Sequence, residues 1–312
     1  MSNDFVWVEK YRPKTIDECI LPIEMKNMFK ALIEKDEILN MIFAGEPGMG
    51  KTTAAKALCE EIGCDYMVIN GGKDRNIDTI RDKIPQFAST RSLKGKPKVI
   101  IIDEADGLNA NSFQQAFKFA IEQYSSNCRF ILTCNDPTML LDAIQSRFAM
   151  IDFNINNKEK MILAEQFMGR LMEILKKENI TYDFKDVAKF ILHRAPDWRN
   201  IINECQRYSA TGTLSFDDTV WVSDNYLSDV IGLLKGKNFK EMRQWVIDNP
   251  QINVIKFIND IDPVIETYIK GSTLPQAIMI LNQYQLNHPM VQNKQLNFAA
   301  CLTELMSEVT FK

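Results

Sequence analysis

The chain is short of histidine and has no paired cysteines. Two His (His193, His288) and seven Cys, at 19, 59, 64, 128, 134, 205 and 301, stand among 312 residues, and no two Cys share C-x-x-C spacing. That leaves no ligand set for a structural zinc. An odd, scattered count suits reduced thiols better than a disulfide framework. There is no charged-then-apolar leader, and no apolar run approaches the roughly 20 residues of a membrane helix. A soluble cytoplasmic protein is the expectation. Excess charge of one sign is also missing: 37 Lys and Arg face 41 Asp and Glu, a net of -4. Binding to nucleic acid would therefore need a local basic face. With 46% hydrophobic and 25% charged residues, the chain is neither disordered nor collagen-like nor a coiled coil. It shows no internal repeat and no low-complexity tract, and its length suits two or three domains.

What is present first is alternation. Short apolar runs at 40–44, 66–70, 99–103, 130–134 and 150–153 are rich in β-branched or aromatic residues and bounded by polar ones. Helix-like segments at 51–62, about 76–87, 111–124 and 138–145 separate them. Their spacing predicts a parallel sheet covered on both faces, wound right-handed as a doubly wound α/β domain. Beyond about residue 155 the pattern is helical: 158–177, 185–194, 198–208, 226–235, 239–248, 252–270, 275–286 and 290–308. We expect three domains: α/β at 1–155, a small helical domain at about 156–222, and a second helical domain at about 223–312.

The strongest local signal is Gly45-Glu-Pro-Gly-Met-Gly-Lys51-Thr52, which fits G-x-x-x-x-G-K-[ST] between a predicted strand and a predicted helix. The backbone of Gly48, Met49 and Gly50, with the helix start at Thr52 and Thr53, would cradle phosphates. Lys51 would reach the β- and γ-phosphates, and Thr52 would hold Mg²⁺. About 50 residues on, Val99-Ile-Ile-Ile-Asp103-Glu104 delivers two carboxylates at a strand's C-terminal end. Asp103 would serve Mg²⁺, and Glu104 would deprotonate the attacking water. Asn135 ends the next strand, where it could hold water or the γ-phosphate, or simply form the turn before Asp136-Pro137. The pair of motifs implies an NTPase with Mg²⁺.

Residues 7–13 (Trp-Val-Glu-Lys-Tyr-Arg-Pro), the P-loop, Asp103-Glu104-Ala-Asp106, Asn135 and Ser146-Arg147 together resemble sliding-clamp loader ATPases of the AAA+ superfamily. The small subunits of replication factor C are cellular relatives. Lys10-Tyr-Arg-Pro with Thr15–Pro22, Thr52–Cys59 and Tyr124–Cys128 look closer to the large subunit of T-even-like phage loaders. The resemblance is dense over 5–155 and thins toward 208. It implies an AAA+ P-loop domain, a helical lid and an all-α collar. Val8, Glu9, Lys10, Tyr11 and Ile20 would line the adenine pocket. Asn135 and Arg199 match the two nucleotide sensors. Arg147 matches an arginine finger acting in trans. Geometry agrees, because Arg147 enters the strand at 150 from the edge opposite its own P-loop. Phe148 and Met49 depart from the family's usual Cys and Thr. The implied partners are a sliding clamp, a small non-hydrolysing subunit, primer–template DNA and further copies of this chain, four in all.

The segment 73–98 carries eight Lys or Arg against three Asp, a local excess of +5. Basic side chains on a helix edge would track phosphates without reading bases. Expected DNA contacts are Arg75, Arg81, Gln114 and Lys118, with Gln115 near Glu104. Asp103-Glu-Ala-Asp106 also invites a helicase reading, but the helical 156–312 offers no second P-loop lobe. The remaining alternative is another AAA+ replication ATPase, a helicase loader or initiator.

Overall fold

The computed structural model describes residues 5–73, 82–92, 95–216 and 226–312. The chain forms two compact units, Met1–Ser215 and Phe216–Lys312. The first unit is built on five parallel strands: β1 (Met41–Ala44), β2 (Tyr66–Asn70), β3 (Lys98–Asp103), β4 (Cys128–Cys134) and β5 (Ala149–Asp152). Their order is β2-β3-β4-β1-β5. The pairing of β4 with both β1 and β3 brings three strand ends together.

Alternation decides which layer each strand residue feeds. Met41 and Phe43 of β1, Val99 and Ile101 of β3 and Ile131 of β4 pack with helices α2 (Ile23–Glu34) and α3 (Lys51–Ile62). Ile42, Ile100, Ile102, Phe130 and Leu132 point the other way. They meet α4 (Ile84–Ala88), α5 (Gln115–Gln123) and α6 (Asp142–Gln145). Both faces are covered, as the continuous apolar runs require. The part of the expected helix at 76–81 lies outside the described residues. A π-turn at Ala110–Gln114 leads into α5, and the short α1 (Trp7–Lys10) precedes α2.

Three helices complete this unit: α7 (Asn157–Lys177), α8 (Phe184–Arg194) and α9 (Trp198–Tyr208). A capping box of Asn156 and Glu159 starts α7. Asp183 and Asp197 cap α8 and α9. Phe167 of α7 stacks on Trp198 of α9, with ring centroids 4.9 Å apart. Two-residue strands, β6 (Thr181–Tyr182) and β7 (Thr213–Leu214), pair in parallel where only helix was expected.

The second unit is helical over 226–235, 239–248, 254–261, 274–287 and 294–308. Its core gathers Tyr226, Met242, Phe257, Ile261, Phe298 and Leu302, among others. The expected boundary at 222–223 lies outside the described residues.

All seven cysteines are buried. Burial pushes the thiols of Cys19, Cys128, Cys134, Cys205 and Cys301 up to about 12. Thiolate is the reactive form, so the native chain should react with iodoacetamide at pH 8 far more slowly than the unfolded chain. Rapid labelling of several native thiols, read by intact mass, would contradict this packing.

Candidate nucleotide site

The site begins where β1 ends. Gly48 and Gly50 hold φ of +81° and +88°, a backbone that side chains strongly disfavour. The loop curls there and opens directly into α3 at Lys51. The Lys51 side chain is only 8% exposed. Its Nζ donates to the carbonyls of Gly45 (2.6 Å) and Glu46 (2.7 Å) and to Asn135 Oδ1 (3.1 Å). Burial lowers its pKa, while Asp106 and Asp103 act to raise it. The P-loop lysine and the tip of β4 are thus tied together in one cluster.

Asp103 closes β3. Its Oδ1 accepts from Thr52 Oγ1 at 2.5 Å and from the buried Thr133 Oγ1 at 2.6 Å. A hydroxyl and a carboxylate meeting at this point form the hard-oxygen set that suits Mg²⁺. Glu104 follows with φ +57°, a conformation uncommon outside Gly. Its N–H donates to Thr133 Oγ1 at 3.2 Å. Its carboxylate lies against Gly72, where an added methyl would sit 2.7 Å from Oε2; at Gly71 one would sit 2.4 Å from the Glu104 carbonyl oxygen. The Gly71-Gly72 pair is therefore the surface on which this segment rests. Asp106 Oδ2 accepts from the N–H of Asn135 at 2.9 Å, fixing the loop that presents that amide. Thr133 and Asp106 were not singled out as site residues from sequence. Thr133 could have been, since it stands two residues before Asn135 and so on the same face of the strand.

A second cavity opens beside the phosphate cradle. Val8, Tyr11, Ile20, Gly48, Met49, Gly50, Thr53 and Arg199 line it. Trp198, Ile202 and Phe167 add an apolar wall from the helical segment. Glu9 and Lys10 are the correction. Residues 7–10 form a helical turn, so Val8 and Tyr11 share one face while the two between them turn away. Glu9 pairs with Arg12 at 2.5 Å, and Lys10 pairs with Glu178 at 2.6 Å. Arg12 also donates to Thr53 Oγ1 at 3.1 Å. Glu178 accepts from Tyr11 Oη as well, and the two hydrogen bonds lower its pKa. Arg199 lines both this cavity and the phosphate site. Two residues earlier, the Asp197 carboxylate lies against Gly48, where a methyl would fall 1.8 Å from Oδ1.

Residues 41–154 match the family of ATPases associated with various cellular activities (AAA). Over its whole length the chain is 34% identical to the sliding-clamp-loader large subunit of Enterobacteria phage T4, covering 98% of that protein. It is 32% identical to that of Escherichia phage RB69, with the same coverage. The replication factor C small subunit of Archaeoglobus fulgidus is 34% identical over 78% of each chain. The chain belongs to the clamp-loader family of AAA ATPases. Among solved structures it is similar to a point mutant of Thermotoga maritima RuvB, with a TM-score of 0.53 and 16% identity over 84% of this chain and 88% of that one. That likeness shows the AAA+ fold alone. This clamp-loader subunit is accordingly a nucleotide-binding ATPase.

The clamp-loader chain keeps Arg147 away from its own nucleotide site. Ala149 of β5 pairs with Met41, the first residue of β1, whereas the P-loop follows Ala44, the last. Of the expected DNA contacts, Arg75 and Arg81 lie outside the described residues. Lys118 is half-buried on α5, and Gln115 is exposed beside it. Gln114 is corrected. It is 0% exposed, donates to the carbonyls of Leu108 and Met139, both at 3.1 Å, and accepts from the N–H of Leu141 at 2.8 Å. Its amide is spent inside the fold, because the π-turn at 110–114 rotates it inward. Among the described residues, no helix is long and apolar enough to cross a membrane.

Proposed function

We propose that this chain is the motor subunit of a loader that opens a sliding clamp and places it on primer–template DNA during phage replication. ATP binding would gather four copies, with a small non-hydrolysing subunit, into a spiral held by the C-terminal helical unit acting as a collar. The observation that carries this reading is the gathering of Lys51, Thr52, Asp103, Glu104 and Asn135 around one cavity in a chain related end to end to loader large subunits. In this reading 1–155 is the motor, 156–222 the lid and 223–312 the collar.

Each side chain then has a task. The P-loop N–H groups and Lys51 bind the β- and γ-phosphates. Thr52 and Asp103 would hold Mg²⁺, which supplies neutralising charge on the phosphates when bound. Glu104 takes the proton of the attacking water. Asn135 orients that water or the γ-phosphate. Arg199, reaching from α9 over both cavities, reports on nucleotide occupancy to the lid. Arg147 would stabilise the transition state in the neighbouring copy. Lys118, with Arg75 and Arg81, would track the template phosphates. The clamp would meet the face near 85–98 and 107–112.

The test is ATP hydrolysis by the assembled subunits with and without the matched clamp and primer–template. Joint stimulation by both supports the loader. Stimulation by DNA alone accompanied by strand unwinding points to a helicase and overturns it. Indifference to the clamp favours a helicase loader or initiator.

A further inference from the structure

Arg147 does not stand alone on its edge of the sheet. Its Nε and Nη2 both donate to Glu122 Oε1, at 3.1 and 2.6 Å, and its Nη1 donates to the carbonyl of Ala143. Glu122 lies in the last turn of α5, and Ala143 lies in α6. Both helices are pinned to the sheet, α5 by Phe117, Ala120 and Ile121 and α6 by Ile144. A guanidinium carries five N–H donors. Three are engaged here, which leaves one on each terminal nitrogen to donate elsewhere.

We infer that Glu122 is a positioning residue that fixes the Arg147 guanidinium before a neighbouring copy arrives. The inference rests on the proposed trans role of Arg147 and adds the group that aims it. The pair's side chains are 36% and 61% exposed, and an exposed ion pair contributes little to stability. Its effect is on order. A long arginine loses much rotamer freedom when it engages a phosphate. A finger already held by a rigid helix loses less, so more of the contact appears as transition-state stabilisation. Glu122 leaves the finger one further donor on each terminal nitrogen, so it need not let go when the phosphate is engaged.

The experiment compares assembled loaders carrying Glu122→Ala, Glu122→Gln, Arg147→Ala, or both alanines, measuring stimulated kcat, KM for ATP and the thermal midpoint. We expect Glu122→Ala to lower kcat by about tenfold, with KM and the midpoint unmoved. Glu122→Gln, which keeps an acceptor oxygen in place, should recover most of the rate. The double variant should be no slower than Arg147→Ala alone, since the glutamate acts only through that arginine. In assemblies mixed with Lys51→Ala subunits, the defect should fall on the neighbouring copy's site. Wild-type kcat in Glu122→Ala, or additive losses in the double variant, overturns the inference while leaving the finger intact. Faster hydrolysis without DNA would mean Glu122 restrains Arg147, and also overturns it. Full activity in Arg147→Ala removes the trans reading itself, and this inference with it.

Discussion

Lys51→Ala should lose tight ATP binding while the chain stays folded. The ammonium sits within 3.1 Å of three oxygens from the P-loop and the tip of β4, at the centre of the cradle where β- and γ-phosphates would lie. Charge-assisted hydrogen bonds are worth about 1.5–3 kcal/mol each. Losing two such contacts to phosphate weakens binding roughly 100-fold or more, at about 1.4 kcal/mol per tenfold. Folding should suffer far less. Burial lowers the Lys51 pKa below its unfolded value, so the folded chain pays for keeping this charge at neutral pH. That cost is full below the folded pKa and fades as pH rises from the folded toward the unfolded value. Removing the charge at neutral pH therefore offsets part of the loss of three hydrogen bonds. Equilibrium titration with a fluorescent ATP analogue, beside a thermal melt, separates the two effects. Normal ATP affinity would overturn the P-loop assignment.

Much of this site was legible in the residues because the relevant chemistry is local. Gly48, Met49, Gly50, Lys51 and Thr52 are contiguous, and a strand must precede them and a helix follow. The five expected strands fall within two residues of β1 to β5, since each is a continuous apolar run whose alternate residues feed two buried layers. What escaped was of three kinds. Helix α2 begins at Ile23 after Pro22, with no side-chain cap, so it lacks the Ser, Thr, Asp or Asn that announces a helix start. Strands β6 and β7 have two residues each, too few to show a period. Gln114 and the pair Glu9–Lys10 were misjudged by rotation: a π-turn and a single helical turn decide which side chains face the site, and composition does not encode either. The contacts of Asp197 with Gly48 and of Arg147 with Glu122 join residues far apart in the chain. No spacing rule reports them. They follow from how the helices land on the sheet.

Glu104→Gln should preserve nucleotide binding and nearly abolish turnover. The substitution keeps the shape of the side chain, so the left-handed backbone at 104 and its N–H bond to Thr133 have no reason to change. The carboxylate's seat against Gly72 accepts an amide of the same size. Lys51, Thr52 and Asp103, which bind the phosphates and suit the metal, are untouched. What disappears is an oxygen able to accept the proton of the attacking water. General-base catalysis contributes typically 10²- to 10⁴-fold, so kcat should fall by about that factor with ATP affinity within about twofold. The same neighbourhood sets a control. A methyl group at Gly72 would lie 2.7 Å from Glu104 Oε2, so Gly72→Ala should displace the carboxylate without removing it and give a smaller loss of kcat. Single-turnover hydrolysis beside an ATP-binding titration reads both variants. Wild-type turnover in Glu104→Gln would exclude Glu104 as the base. A Gly72→Ala loss as large as that of Glu104→Gln would show that the carboxylate's position matters as much as its charge.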